Sequence, residues 1–264
     1  MIEYVNEEDL APIVVTVFNR SEHTKKMVNS LLNNNLADRS EIYFFCDNYK
    51  KASQKIEIEK TIRFLNQVVG FKDKKIIIRE KNYGMVKNTL CAVDYICSHH
   101  DKFIFLEDDA ELSSHFLIFM NACLNYYKDK KKVMGITGWK YPCGALQDNN
   151  KVVFTRLGES WTWATWKDRW EKYNREDSIM TKFTKNMKYE FNFHNTNLFW
   201  NQLVGNKSKR MHTWSIYWYA AFFLNQGLCA APPESLVINT GNDGTGTHTK
   251  KNNIFHTKIT NKTS

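Results

Sequence analysis

The sequence lacks any stretch long and apolar enough to cross a membrane. Its most apolar later run, residues 216–232, is broken by Asn225-Gln226-Gly227 and falls short of the roughly 20 apolar residues a spanning helix needs. The start is also unlike a secretory leader. Residues 1–9 are acidic and have neither a basic nor an apolar region, which points to the cytosol, with any contact at the inner membrane face peripheral. The six cysteines, Cys46, Cys91, Cys97, Cys123, Cys143 and Cys229, form no C-x-x-C pair and no zinc-like Cys/His spacing. Several lie in apolar runs and read as reduced core thiols. A net charge of +9 suits nucleic acid, an anionic surface or a phosphate-bearing substrate and selects none of them. Because neither an aromatic RNA-binding signature nor a helix-turn-helix accompanies that charge, nucleic acid is not an expected partner. Prolines number only four, and with no Pro/Gly/Ser-rich linker and no internal repeat the chain reads as one compact unit.

What is present is ordinary globular composition, 42% hydrophobic and 25% charged, with a clean alternation in the first half. A β-branched run at residues 13–18 precedes Met27, Val28, Leu31 and Leu32 at helical spacing, with Ser21 placed as a cap. The cycle repeats with a strand at 42–46 and a helix over about 54–69, then a strand at 76–78 and a helix over about 86–99. A fourth strand follows at 103–106, then a helix over 114–127 and a strand at 133–137. Continuous apolar strands separated by helices predict a mostly parallel, Rossmann-like α/β sheet covered on both faces. Its ligand crevice then lies beyond the carboxyl ends of the strands, just after residues 18, 46, 78 and 106. All eight tryptophans lie in the less regular second half, where a helix is expected from a Thr213 cap to Gly227.

The residues at those strand ends bear chemistry. Glu107-Asp108-Asp109 follow the fourth strand directly; such acids either hold a hard divalent cation together with a nucleotide's diphosphate, or simply favour a helix N-terminus. Asn19-Arg20 follow the first strand, Asp47 the second, and the segment 79–84 with Asn82 the third. Arg20 suits a phosphate, Asp47 a base or ribose, and Lys87 a diphosphate, although each residue type is commonly just a solvated loop group.

Five segments together resemble bacterial GT-A glycosyltransferases related to the Golgi N-acetylglucosaminyltransferases of N-glycan assembly. They are residues 17–23 (VFNRSEH), 80–84 (EKNYG), 106–109 (LEDD), 160–170 (SWTWATWKDRW) and 239–248 (NTGNDGTGTH), spanning about residues 12–248. The resemblance implies a single-domain GT-A fold, with residues 1–110 binding the nucleotide sugar and 111–248 the acceptor, before a flexible basic tail at 249–264. It implies Asp109 as the ligand of Mn²⁺ or Mg²⁺, Glu107 and Asp108 as donor contacts, and Arg20 and Asp47 as holding the nucleotide; Asn19, Asn82 and Lys87 are further donor-contact candidates by their place at the strand ends. It also implies that the Gly-rich segment 241–248 orders over bound donor, with His248 near the metal or diphosphate.

One departure stands out. Where relatives carry an aspartate as base before the Trp-bearing helix, this chain reads Arg210-Met211-His212-Thr213-Trp214. His212, kept neutral by a helix N-terminus, is the candidate base, with Glu159, Asp168 or Asp177 as alternatives. Trp161 and Trp163 are candidate platforms for an acceptor sugar, although packing is the default role for most tryptophans here. The expected activity is transfer of a sugar, with inversion, from a nucleotide sugar such as a UDP-sugar to a glycan or lipid-linked saccharide in bacterial surface polysaccharide or lipopolysaccharide synthesis. The alternatives are a degenerate carbohydrate- or nucleotide-binding protein and a nucleotidyltransferase, although the latter's Gly-rich loop is missing after the first strand.

Overall fold

A computed structural model describes residues 4–6, 8–140 and 151–241. The chain begins with β1 (Ile13–Val17), α1 (Ser21–Leu32), β2 (Glu41–Cys46), α2 (Lys55–Gln67), β3 (Asp73–Ile78), α3 (Gly84–Cys97) and β4 (Lys102–Glu107). It continues with β5 (Ala110–Leu112), α4 (Phe116–Tyr126), β6 (Val133–Thr137), β7 (Val153–Thr155), β8 (Thr162–Trp166) and the single turn α5 (Lys167–Trp170). Helices α6 (Lys185–Phe191), α7 (Phe199–Lys207) and α8 (Ser215–Leu224) precede β9 (Leu228–Ala231) and β10 (Val237–Asn239).

The main sheet has the order β3-β2-β1-β4-β8-β6-β9-β7, while β5 and β10 form a separate antiparallel pair. Strands β1 to β4 are parallel, as their βα alternation requires. The second half alters the pattern: β8 runs antiparallel to both β4 and β6, and β7 antiparallel to β9, so the complete sheet is mixed. Successive side chains on a strand point to opposite faces, and both faces are covered. Thus Ile13, Val15, Ile104 and Leu106 join the core beneath α1 and α4, whereas Val14, Phe103 and Phe105 join that beneath α3 and α8.

Helix α8 is apolar around its whole circumference because it is enclosed. Trp218, Ala221 and Phe222 face the sheet, and Ile216, Tyr219 and Ala220 pack with α6 and α7. Two expected caps are corrected. Ser21 is the first residue of α1, and its hydroxyl donates to Glu57 of α2 at 2.7 Å. Thr213 precedes the Trp214 cap position and is held by Asn206, which accepts from the Thr213 amide and donates to its hydroxyl, at 2.8 and 2.9 Å.

Candidate active site

Parallel strands that end at one edge bring their following loops together, and a cleft of about 580 Å³ lies there. Asn19 and Arg20 enter it after β1, Asp47 after β2, Asn82 before α3, and Glu107 to Asp109 after β4. The facing wall comes from Ser160, Trp161, Thr213, Ser215 and Asn239.

Strand β4 ends at Glu107, and Asp108-Asp109 make the turn into β5. Arg20 Nη1 donates to Asp109 Oδ2 at 3.0 Å and stands 3.8 Å from Asp108 Oδ1. Asp108 and Asp109 therefore share one guanidinium, with Glu107 adjoining them in sequence. Burial, then repulsion from Asp109, raises Asp108 to about 7 against the opposing pull of Arg20 and of backbone amides at Phe18 and Asp108. Glu107 is pushed well above the usual carboxylate range, first by burial and then by Asp109 and Asp108. Arg20 Nε and Nη2 are buried and, among the described residues, have no hydrogen-bond partner. The turn is tethered from far along the chain, because the Asp109 carbonyl accepts from both the amide and hydroxyl of Thr240, at 2.8 and 2.9 Å. At Gly241 a Cβ would overlap the Asp109 carboxylate, so only glycine fits beside it.

Asp47 plays a different part from the one its position suggests. Its Oδ1 accepts from the amides of Asn48 (2.9 Å) and Tyr83 (2.7 Å), and its Oδ2 from Asn82 Nδ2 (3.1 Å) and the Gly84 amide (2.8 Å). These four donors fill the roughly four lone-pair positions of a carboxylate, leaving none for a ribose hydroxyl. Asp47 instead pins the loop that opens α3. Gly84 turns there with φ of +72°, a conformation that favours glycine. Asn82 adds a bond to the Asn48 carbonyl at 2.6 Å.

No family model and no curated protein matches the sequence. Among solved structures, the chain superposes on TarS of S. aureus, of GT-A-like glycosyltransferase fold, with a TM-score of 0.51 at 13% identity. The match covers 89% of this chain and 37% of TarS, so the chain spans little more than a third of that protein. This chain has a GT-A-like fold.

Within this GT-A-like frame several expected site residues lie elsewhere. Trp163 is 1% exposed in β8 and packs against Phe105, Trp170, Trp214 and Trp218, so it is core and not an acceptor platform. Trp161, two residues earlier, does line the cleft, its ring 5.1 Å from that of Trp139. Asp168 pairs with Lys131 and Arg169, both at 2.7 Å, in a separate cavity of about 610 Å³ that also contains Asp101 and Lys102 from the opposite end of β4. Glu159 faces the buried Cys229 thiol, whose pKa is raised chiefly by burial, and is not among the cleft-lining residues.

His212 is exposed and outside the cleft lining. Arg175 Nη2 lies 3.1 Å from its Nδ1, and since a guanidinium can only donate, that nitrogen is the acceptor. Its acceptor nitrogen is thus engaged by Arg175, whose Nε also donates to the carbonyl of the cleft-lining Thr213 at 3.3 Å. Asp177 is exposed at the start of a short 3-10 turn, also outside the lining. Lys87 lies 4.3 Å from the centre of the Tyr83 ring, on the exposed side of α3. His248, most of the 241–248 segment, the 249–264 tail and Cys143 lie outside the described residues.

Sequence reasoning missed Lys50 and Gln54, which supply polar side chains beside Asp47, and Met85, Ser215 and Asn239. Lys50 had a signal, since it lies three residues beyond a strand-end acid. Asn239 opens the 239–248 segment, but its approach to the cleft depends on the pairing of β10 with β5. No group of three or more His, Cys, Asp or Glu side chains among the described residues is arranged to hold a metal by protein ligands alone.

Proposed function

We propose that the protein is a glycosyltransferase that moves a sugar from a nucleotide-sugar donor, such as a UDP-sugar, to a hydroxyl of a glycan or lipid-linked saccharide. The observation that carries this reading is the acidic end of β4, where Glu107, Asp108 and Asp109 line a cleft at the strand ends of a GT-A-like fold and the last two face Arg20. The surplus negative charge and all-oxygen donor set suit a hard divalent cation, Mn²⁺ or Mg²⁺, that keeps waters and shares diphosphate oxygens. Asp109 would hold it. When bound, the cation supplies electrostatic stabilisation of charge on the leaving diphosphate.

The chain's own groups do the rest. Arg20 offers Nε and Nη2 to phosphate oxygens while its Nη1 orients Asp109. Glu107 and Asp108, which line the cleft, would accept from the donor's ribose and sugar hydroxyls. Asp47 and Asn82 fix the loop that forms the nucleotide end of the cleft. The facing wall, with the Trp161 ring beside Ser160, Thr213 and Ser215, suits a neutral sugar, since an aromatic face covers ring C–H groups and hydroxyls exchange hydrogen bonds.

Inversion would require a base beside the acceptor hydroxyl. Among the described residues that wall carries no carboxylate or imidazole, which favours a second reading in which the protein binds a nucleotide sugar without turning it over. One experiment separates the two. Incubation with a panel of nucleotide sugars, Mn²⁺ and saccharide acceptors should release nucleoside diphosphate and give a glycosylated product of opposite anomeric configuration. Metal-dependent thermal stabilisation by a nucleotide sugar without release would support the binding protein, and neither effect with any donor would refute both. At 100 times the dissociation constant, linkage gives about 2.7 kcal/mol of stabilisation.

A further inference from the structure

The rim of the cleft is strongly one-sided in charge. Residues 48–55 and 79–87, which follow β2 and β3, carry Lys50, Lys51, Lys55, Arg79, Lys81 and Lys87 against the single acid Glu80. The two segments are tied into one surface: Asn48 Nδ2 donates to the Arg79 and Glu80 carbonyls, at 2.9 and 3.2 Å, and Asn82 reaches back to Asn48. Among the described residues Lys50, Lys51, Lys81 and Lys87 enter no ion pair, and Lys55 lies 3.8 Å from Glu59, while at the other end of the same strands Lys72 and Lys75 lie 4.0 and 3.9 Å from Glu41 and Asp73. The amino ends of α2 and α3 point to the same rim and add positive potential.

Large apolar side chains stand among these cations. Tyr49 is 43% exposed, Ile56 64%, Ile78 50% and Met85 42%. A solvated lysine face has no need of exposed apolar neighbours. Apolar groups set among unpaired lysines match a lipid interface, where the former enter the headgroup boundary and the latter meet anionic headgroups. No helix of the described residues is long and apolar enough to cross a membrane, so such attachment lies in the interface plane.

We propose that this rim docks on a membrane surface rich in anionic lipid, with the mouth of the cleft facing the bilayer. The docking goes beyond the transfer reaction and does not depend on it, because vesicle binding is measured without donor, acceptor or metal. If transfer also holds, docking brings lipid-linked acceptors to the cleft mouth.

The test is co-sedimentation of the full chain with vesicles of phosphatidylcholine alone or mixed with phosphatidylglycerol. Binding is expected only to the mixed vesicles and should be lost in about 1 M salt, where the screening length is roughly 3 Å. Each lysine near an anionic surface contributes about fivefold, so the triple variant Lys51→Glu, Lys55→Glu and Lys81→Glu should weaken partitioning by roughly 100-fold or more. Tyr49→Ser should weaken it at unchanged charge. A control triple of equal charge at the far end of the molecule, Lys128→Glu, Lys132→Glu and Lys172→Glu, should retain binding, with unfolding midpoints verifying that both triples fold. Equal loss in the two triples would overturn the proposal in favour of overall charge. Equal binding to neutral vesicles would overturn it too. Rim-dependent binding of soluble long-chain polyphosphate without vesicle binding would assign the rim to a polyanion instead.

Discussion

Substituting Asp108 by Asn should stabilise the fold in a strongly pH-dependent way when no divalent cation is present. The folded state raises this carboxyl from the ordinary aspartate value of 3.8 to about 7, so it holds its proton where the unfolded chain has lost it. Between those two values the native state binds more protons, and its stability falls as pH rises. Each tenfold change in proton affinity is worth about 1.4 kcal/mol, so the ionised form costs up to about 4 kcal/mol at pH 8 and roughly 1.5 at pH 5. Asparagine is neutral throughout, keeps the shape, and retains an oxygen for the backbone amides. The advantage of Asp108→Asn over the unsubstituted protein should therefore grow by about 2–3 kcal/mol from pH 5 to pH 8. Urea unfolding of both proteins at several pH values in EDTA measures this directly. A variant no more stable at pH 8 than at pH 5, relative to the unsubstituted chain, would show that Asp108 is not a strained, buried acid. Adding Mn²⁺ should reverse the order, because the cation offsets the clustered charge in the unsubstituted protein.

The other expectations follow from the same site. Asp109→Ala should abolish metal-dependent UDP binding by calorimetry while leaving the unfolding transition intact, and unchanged affinity would remove Asp109 from the metal site. Gly241→Ala should weaken the same metal-dependent affinity, because the added methyl group needs the space of the Asp109 carboxylate, with near-normal core stability. Asp47→Ala leaves four donors without their acceptor and should cost about 2–3 kcal/mol or more in urea unfolding, with faster amide exchange at Tyr83 and Gly84. Trp163→Ala should cost about 3–5 kcal/mol as a buried large-to-small change, without a specific effect on acceptor affinity in variants that remain folded.

Much of the first half is readable in the sequence because period and placement agree. The apolar run at 13–18 becomes β1, Ile13–Val17, and that at 103–106 becomes β4, Lys102–Glu107. Parallel strands of this kind end at one edge, so sequence order alone brings Arg20, Asp47 and the acidic turn together. The second half resists because its strands carry no alternation. All five residues of β8 are buried, so the Trp-rich run, for which packing is the default reading, is a central antiparallel strand whose position in the sheet no periodicity announces. Whether a side chain faces the cleft is likewise a tertiary matter: Trp161 does and Trp163 does not. The contact of His212 is tertiary as well, since its ring meets Arg175, 37 positions away. For Asp47 the position is legible and the bonding is not, since its acceptor capacity is used up by groups on the neighbouring loop.

The tether between Asp109 and Thr240 has a consequence for biosynthesis. The two residues are 131 positions apart, so the acidic turn is braced by almost the last part of the described chain to leave the ribosome. Loop closure over such a span adds little free energy, since each doubling of length costs only about 0.6 kcal/mol, but it forms late. Strands β1 to β4 can assemble on the nascent chain while the turn after β4 still lacks its brace. The acidic turn therefore gains its brace only once residue 240 has been made, and a chain stalled before residue 237 would carry a nearly complete sheet with a loose acidic turn.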